Sequence, residues 1–450
     1  MIRQLLITSL LGSALLATPS AAAPAKAEAT EVLRRGQVRP LPGHLDGRLM
    51  VNDNNPEVVS ENGILLSTFP GQGRPVPDAH LDVALNGDFE LFSHHVYAGA
   101  KGAPESTLWL GVILGNRSDQ EVTVRVPSGA SWLSQPGAPF LPLPPRLEHD
   151  GVSVYSGPGS RAAGDLLAGA PRPELIPEQI TLAPGEEQVL LTLPLPVKGL
   201  DPLLNGRTLQ LRLRSDGPVS MATVGFINDQ QPPDATLLEL LDGGLSEKEH
   251  KASPKGAPGP IIYSRVSGVQ QGSRWSTQLS DPGSAVLALG EEPISWPIAS
   301  LQRGRLGTGQ VQSAPLKAYY PGTAWEAHGN YGVEYDLKLP LKNSGQQRRQ
   351  YDLRLESPLK RDRPQGGLRF LQPATGPIWF RGTVEVRGSD DSPGRRYLHL
   401  VLRKGDQGQS LGHVTLQPGE QRNVRVRLLV PADITPVQVL TVVPMKQSES

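Results

Sequence analysis

Apolar and polar residues alternate along much of this chain. Val333, Tyr335, Leu337, Leu339 and Leu341 interleave with Glu334, Asp336, Lys338, Pro340 and Lys342, the period of a strand with one buried and one wet face. The same rhythm runs through Tyr351, Leu353 and Leu355, through Leu209, Leu211 and Leu213, through Val122, Val124 and Val126, and through Val424, Val426 and Leu428. One apolar face per strand predicts antiparallel sheets, because parallel strands are usually covered on both sides.

The pattern occurs twice. LWLGVILGNRSDQEVTVRV precedes ITLAPGEEQVLLTLPLPV, and YGVEYDLKLPLKNSGQQRRQYDLRL precedes VTLQPGEQRNVRVRLLV. Each copy reads as a strand, an Asn-centred turn, a second strand and, further on, a Pro-Gly-Glu turn into another strand. Asn116-Arg117-Ser118 and Asn343-Ser344-Gly345 are expected to close the two hairpins. Asn116 also opens an Asn-x-Ser sequon, for which the turn role is preferred. Pro184-Gly185 and Pro418-Gly419 suit type II turns. Asn62-Gly63, Asn86-Gly87, Asn205-Gly206 and Asp216-Gly217 suit primed hairpin turns.

The predicted fold class is all-β: two tandem antiparallel β-sandwiches, Ig-like or jelly-roll-like, with long Pro/Gly-rich loops. Residues 1–27 read as a signal peptide and 28–74 as an extended N-terminal arm lying on the first unit. The first sandwich is placed at 75–230 and the second at 261–450. Between them, 234–249 reads as a short helix and 251–260 as a Pro/Gly linker, together the 231–260 junction. Strands expected at sheet edges carry Arg425, Arg427 and Pro340, a way of blocking edge-to-edge pairing. A monomer or weak oligomer follows from that expectation.

Composition changes this picture only at a few points. The 49 Gly and 44 Pro fall between the alternating runs and so act as turn punctuation. Lys+Arg and Asp+Glu both number 44, so no global field draws nucleic acid or an anionic membrane. The chain has no cysteine, which excludes disulfides, thiolate metal sites, a Cys nucleophile and a lipid on an N-terminal Cys. Arg3, the short apolar run 5–17 and the small residues Ser20-Ala21-Ala22, with Ala25-Lys26-Ala27 as a second option, have the anatomy of a secretory signal. The run is too short to span a bilayer. Export to the periplasm or cell surface is therefore expected, without lipidation or a transmembrane segment.

Several blocks carry a resemblance: VRPLPGHLD, NNPEVVSENGILLSTFP, SWLSQPGAPF, GPGSR, LNGRTLQLRLRSDGPVSMA, GPIIYSRVSGVQQGSRW, RGRLGTGQVQSAPL and AHGNYGVEYDLKLPL. Together they resemble an uncharacterised family of exported, mainly cyanobacterial proteins, classed only as a domain of unknown function. The resemblance covers nearly all of the mature chain. It implies export and a shared fold, and it carries over no catalytic or binding residues.

Candidate chemistry is thin. Asp78, His80 and Asp82, with His94 and His95 nearby, would project from one face at strand spacing and so form a candidate metal site. The plainer reading is a wet strand face, since Leu81, Val83 and Leu85 take the opposite side. In His94-His95 the two rings point oppositely on a strand, so at most one joins that site. Gly304-Arg305-Leu306-Gly307-Thr308-Gly309 lacks the Lys-Ser/Thr of a phosphate loop and reads as a kinked loop. Ser156-Gly157-Pro158-Gly159-Ser160-Arg161 lacks the nucleophile-elbow pattern and also reads as a loop. Ala327-His328-Gly329-Asn330 reads as a loop capping a strand end. No cofactor and no catalytic residue is expected. The function expected is a non-enzymatic envelope protein that binds or scaffolds another envelope protein or a surface polymer. The alternatives are a glycan-binding protein using Trp109, Trp132, Trp275, Trp296, Trp325 and Trp379, and a metal-dependent hydrolase at the His80 region.

Overall fold

A computed structural model describes residues 28–149, 156–249, 251–391 and 394–445. The expected signal segment lies outside the described residues. The fold is all-β, with short helices only at 158–168 and 234–239 among the described residues.

The second repeat shows the sandwich plainly. Strand Glu334–Asn343 pairs antiparallel with Gln421–Leu429, and Arg349–Glu356 pairs antiparallel with Ser410–Leu416. The first pair belongs to a seven-stranded sheet and the second to a five-stranded sheet. Their alternating residues meet in one core: Tyr335, Leu337 and Leu339 with Leu353, Leu355, Val414 and Val426. The first repeat has the same plan. Thr107–Asn116 pairs with Glu187–Pro196, and Val122–Leu133 pairs with Gln179–Leu182. In neither repeat do the two strands around the Asn turn pair with each other. The turns are arches from one layer to the other, which corrects the hairpin expectation. Period-2 alternation cannot distinguish the two, because both bury every second side chain.

Each arch is fixed by one carboxamide. Asn116 Nδ2 donates to the carbonyls of Gln120 (2.6 Å) and Leu182 (3.0 Å), and its Oδ1 accepts from Ser118 N at 2.8 Å. Asn343 Nδ2 donates to Gln347 (2.8 Å) and Leu416 (3.0 Å), and its Oδ1 accepts from Gly345 N at 2.9 Å. The Pro-Gly-Glu turns match as well. Gly185 and Gly419 sit at φ +69° and +76°, and Glu186 and Glu420 each bond back to the backbone N–H three residues earlier at 2.7 Å. The repeat in the sequence is thus a repeat of hydrogen bonds.

The first core is organised by the strand Asn205–Asn228. Its first half pairs with Leu85–Tyr97 and Val122–Leu133, its second half with Thr107–Asn116 and Gly63–Ser67. Neighbours change at Ser215–Val219, where the register slips. Asp216-Gly217 is therefore a bulge inside one long strand. Asn86-Gly87 likewise lies within a strand, and Asn62-Gly63 and Asn205-Gly206 open strands. The four primed hairpin turns expected from these dipeptides are absent. Asn205 spends its side chain on Ser134, Gln135 and Pro196 instead.

Pairing crosses the expected unit boundaries. Residues 28–74, expected as an arm on the first unit, feed both cores. Thr30–Arg35 pairs with Gly367–Gln372, and Gln37–Val38 pairs with Ile294–Ile298. Leu49–Asp53 sits between Leu85–Tyr97 and Ser267–Gln271 in the first core. Ser267–Gln271 and Ala314–Tyr319 also join that sheet, whereas Arg146–His149 pairs with Arg395–Arg403 in the second core.

An ion-pair ladder runs between the halves. Glu334, nearly buried, accepts from Arg212 of the first core at 2.9 Å and from Arg427 at 2.8 Å. Asp336 bonds Arg425 twice and Arg274 once, all at 2.6 Å. Burial pushes the Asp336 carboxyl up, but these guanidiniums outweigh it and hold it below its ordinary value. Removing one partner of such a buried pair typically costs about 3–5 kcal/mol. Gln421–Leu429 lies between Glu334–Asn343 and Ile378–Arg387. Arg425 and Arg427 are therefore interior ladder rungs, not edge guards, and Pro340 faces Asn423 across the same ladder.

Candidate functional site

Asp78, His80 and Asp82 are not brought together. Strand Leu85–Tyr97 begins after them, and Asp78 lies exposed in the 3-10 turn Pro77–Ala79. His80 is buried, with Nδ1 2.8 Å from Ser67 Oγ and Nε2 3.1 Å from the Leu241 carbonyl. Burial, then Arg74, holds its imidazole below the ordinary value. Asp82, at φ +48°, turns outward to Arg117. The single wet face dissolves because the backbone here is a turn and not a strand. Among the described residues no three His, Cys, Asp or Glu side chains are grouped to hold a metal ion.

Chemistry gathers instead where the two cores meet. A polar cavity of about 410 Å³ is lined by Glu57, His94, Tyr263, Arg265, His328, Tyr331, Arg381 and Asp433 among others. It adjoins a more apolar groove of about 680 Å³, with which it shares Glu57, His94 and Asp433. Val58, Phe140 and Leu204 line the groove, and all three are exposed, Phe140 by 51%.

Most groups in this wall are already committed. His95, on the strand that carries His94, bonds Asp53 Oδ2 at 2.9 Å and the Pro56 carbonyl at 2.8 Å. Burial pushes the Asp53 carboxyl up, but His95 beside it outweighs that and the group stays below its ordinary value. This pair fixes the loop that presents Asn54 and Glu57. Asn55 ties the same loop to Glu249, Ser264 and Arg265. Glu57 in turn holds the Arg265 guanidinium. The His94 Nδ1 meets Thr208 Oγ1 at 2.8 Å, and burial lowers its pKa to about 3. The His328 ring lies tilted against Tyr263, 5.0 Å between centres, and burial lowers its pKa to about 4. Tyr331 donates to the Ile434 carbonyl at 3.2 Å. The His-Gly-Asn run thus lines the cavity through His328, while Asn330, at φ +52°, braces the strand end through Ala314, Gln312 and Tyr335.

Asn54 Oδ1 and the Tyr263 hydroxyl are buried without a partner, and two charged groups are left over as well. Asp433 takes backbone N–H groups from Gly159 and Ser160 at the start of helix Pro158–Ala168. Its Oδ2 is shielded from solvent and has no hydrogen-bond partner. A Cβ on Gly157 or on Gly159 would lie 2.9 Å from that oxygen, so both positions must be glycine for the carboxylate to seat. Burial raises its pKa to about 6. Arg381, opposite, lies 5.2 Å above the Phe140 ring and makes no hydrogen bond or close ion pair among the described residues.

The helix at 158–168 was not expected. SGPGSR reads as a loop by its glycines, yet Pro158 takes the first helical turn and Gly169, at φ +70°, closes the last. Ala162, Ala163, Leu166 and Leu167 form its buried stripe, a signal that was present in the sequence. Ser160 Oγ lies 3.1 Å from His399 Nε2, but both side chains are fully buried and neither lines either cavity. The six tryptophans divide. Trp275 and Trp296 are core residues. Trp109 donates to Asn228, and Trp132 lies under Arg161. Trp325 and Trp379 are half-buried beside lysines.

No curated protein matches the chain. The family model described as "Protein of unknown function (DUF3370)" matches residues 36–444, a span that takes in both repeats, the interposed helix and every residue of the cleft. The chain belongs to that family.

Proposed function

We propose that the protein is a non-enzymatic, exported envelope protein that binds a segment of another envelope protein in the cleft between its two cores. The observation that carries this reading is the pair of unsatisfied groups facing each other there, Asp433 Oδ2 and the Arg381 guanidinium. A buried carboxylate oxygen without a donor is costly unless something supplies one. A polypeptide offers an N–H for Asp433, a carbonyl for Arg381 and an apolar side chain for the Val58, Phe140 and Leu204 groove. What supports the non-catalytic reading is the state of the cavity's other acid–base groups: both cavity histidines are held neutral by burial, and Glu57 is spent on Arg265. Export rests on the sequence of residues 1–27, and no helix among the described residues is long and apolar enough to cross a membrane.

The test is a photo-crosslinking residue in place of Phe140, irradiated in intact cells. The expected result is capture of a discrete protein, lost when Asp433→Asn and Arg381→Ala are combined. Capture of nothing above background, or capture unchanged by that pair, would overturn the reading.

A further inference from the structure

The second core carries a separate feature on its outer surface. Lys360 and Lys404 both lie against Trp379, their ammonium nitrogens 5.1 Å and 5.8 Å from its ring centre. Neither forms an ion pair among the described residues. Burial, and then the Lys404 charge, lower the Lys360 pKa to about 8. The indole face holds the two cations where they are.

The charge continues from there. The loop containing Gly304 packs against the Lys360 side chain, 3.1 Å from a Cβ placed on that glycine. Arg303 and Arg305, flanking Gly304, line a cavity of about 360 Å³ with Lys255 and Trp325. Lys255 lies 5.6 Å from the Trp325 ring centre, a second lysine–indole pair. Of the carboxylates nearby, Asp362 accepts from Gly304 N at 2.7 Å and pairs with Arg305 at 3.7 Å, and Glu326 accepts from Gln302 at 3.1 Å and feels the Lys255 charge. The glycine run 304–309, which has no phosphate-loop chemistry, therefore serves to lay two arginines between two lysine–tryptophan pairs.

We propose that this stripe binds an acidic polysaccharide, a chain of sugar rings bearing carboxylate or sulfate groups. Lys360, Lys404 and Arg303, which form no ion pair among the described residues, supply the anion sites, with Arg305 held by Asp362 beside them. Their repetition along one surface suits a polymer that presents one anion per ring and gains by engaging several sites at once. The cavity beside Trp325 is large enough for one ring, and the indole supplies an apolar wall for its C–H face. The stripe is distinct from the cleft at Asp433, so a failure of either proposal leaves the other standing.

Affinity electrophoresis of the purified protein through gels containing alginate, dextran sulfate or neutral dextran tests it. Retardation by both acidic polymers, weakening with salt, and none by dextran is expected. The double variant Lys360→Gln, Lys404→Gln should lose about tenfold or more in affinity, since one charge-assisted hydrogen bond is worth at least that. Its thermal midpoint should not fall, because the substitution relieves repulsion. Arg303→Gln, at an exposed position, gives a second reading should the double variant fold poorly. Equal retardation by dextran would overturn the proposal. So would unchanged affinity in a folded variant, or tighter binding to phosphatidylglycerol vesicles than to either polymer.

Discussion

The two repeats share their arches and differ in what hangs between their second and third strands. In the first, residues 133–179 contain helix Pro158–Ala168, which packs between Ala130 of its own sheet and Leu429 of the other core. In the second, residues 356–410 add the strands Gly367–Gln372, Ile378–Arg387 and Arg395–Arg403. Two of these widen the seven-stranded sheet. The duplicated part builds the sandwiches. The unduplicated insertions add to the contact between them and to the cleft: Phe140 and Pro158 come from the first insertion, Arg381 from the second.

This comparison can be broken most sharply at the arches. Asn116→Ala and Asn343→Ala should each cost about 2–4 kcal/mol, since each strands several buried backbone groups. Denaturant midpoints with unchanged slopes would measure this. A large cost at one position and none at the other would show that the two arches are not equivalent. A second test uses one buried histidine from each half. His94 titrates near 3 and His399 near 4 in the folded chain, each lowered first by burial. The unfolded chain takes up these protons near pH 6.5. Stability is therefore whole above pH 6.5 and falls as pH drops toward 4. His94→Gln and His399→Gln should each flatten part of that fall in a pH series of thermal midpoints. The smallest effect lies at the Pro-Gly-Glu turns, where Glu186→Gln and Glu420→Gln should cost about 0.5–1 kcal/mol apiece, the weakening of one exposed charge-assisted bond. Equal small losses would extend the equivalence to the turns.

The repeat was legible because its signals are local. Asn at the arch, Pro-Gly-Glu at the turn and period-2 alternation each act within a few residues. What was hidden depends on distant partners. Nothing near Arg425 and Arg427 indicates that Glu334, Asp336 and Glu385 flank them on both sides, so the arginines resembled edge guards. Nothing near residues 49–53 indicates that the partner on one side comes from 267–271. The Asp78, His80 and Asp82 trio failed for a local reason: alternation was read into a segment that begins with a 3-10 turn at Pro77. The cleft was invisible as a site because its lining comes from several separate stretches of chain. Only His94, His328 and Pro158, each in a run that the sequence singles out, gave any hint of it.

The pairing of Thr30–Arg35 with Gly367–Gln372 has a consequence for how the molecule comes into being. The earliest described strand waits for a partner made more than three hundred residues later. The first core lacks Tyr320, and the second lacks Val442, until those residues have been synthesised. Such long-range closure makes folding slow and late. A ribosome-bound chain would thus hold incomplete sheets for most of its synthesis, and a truncation before residue 440 would leave the second sandwich without its last strand.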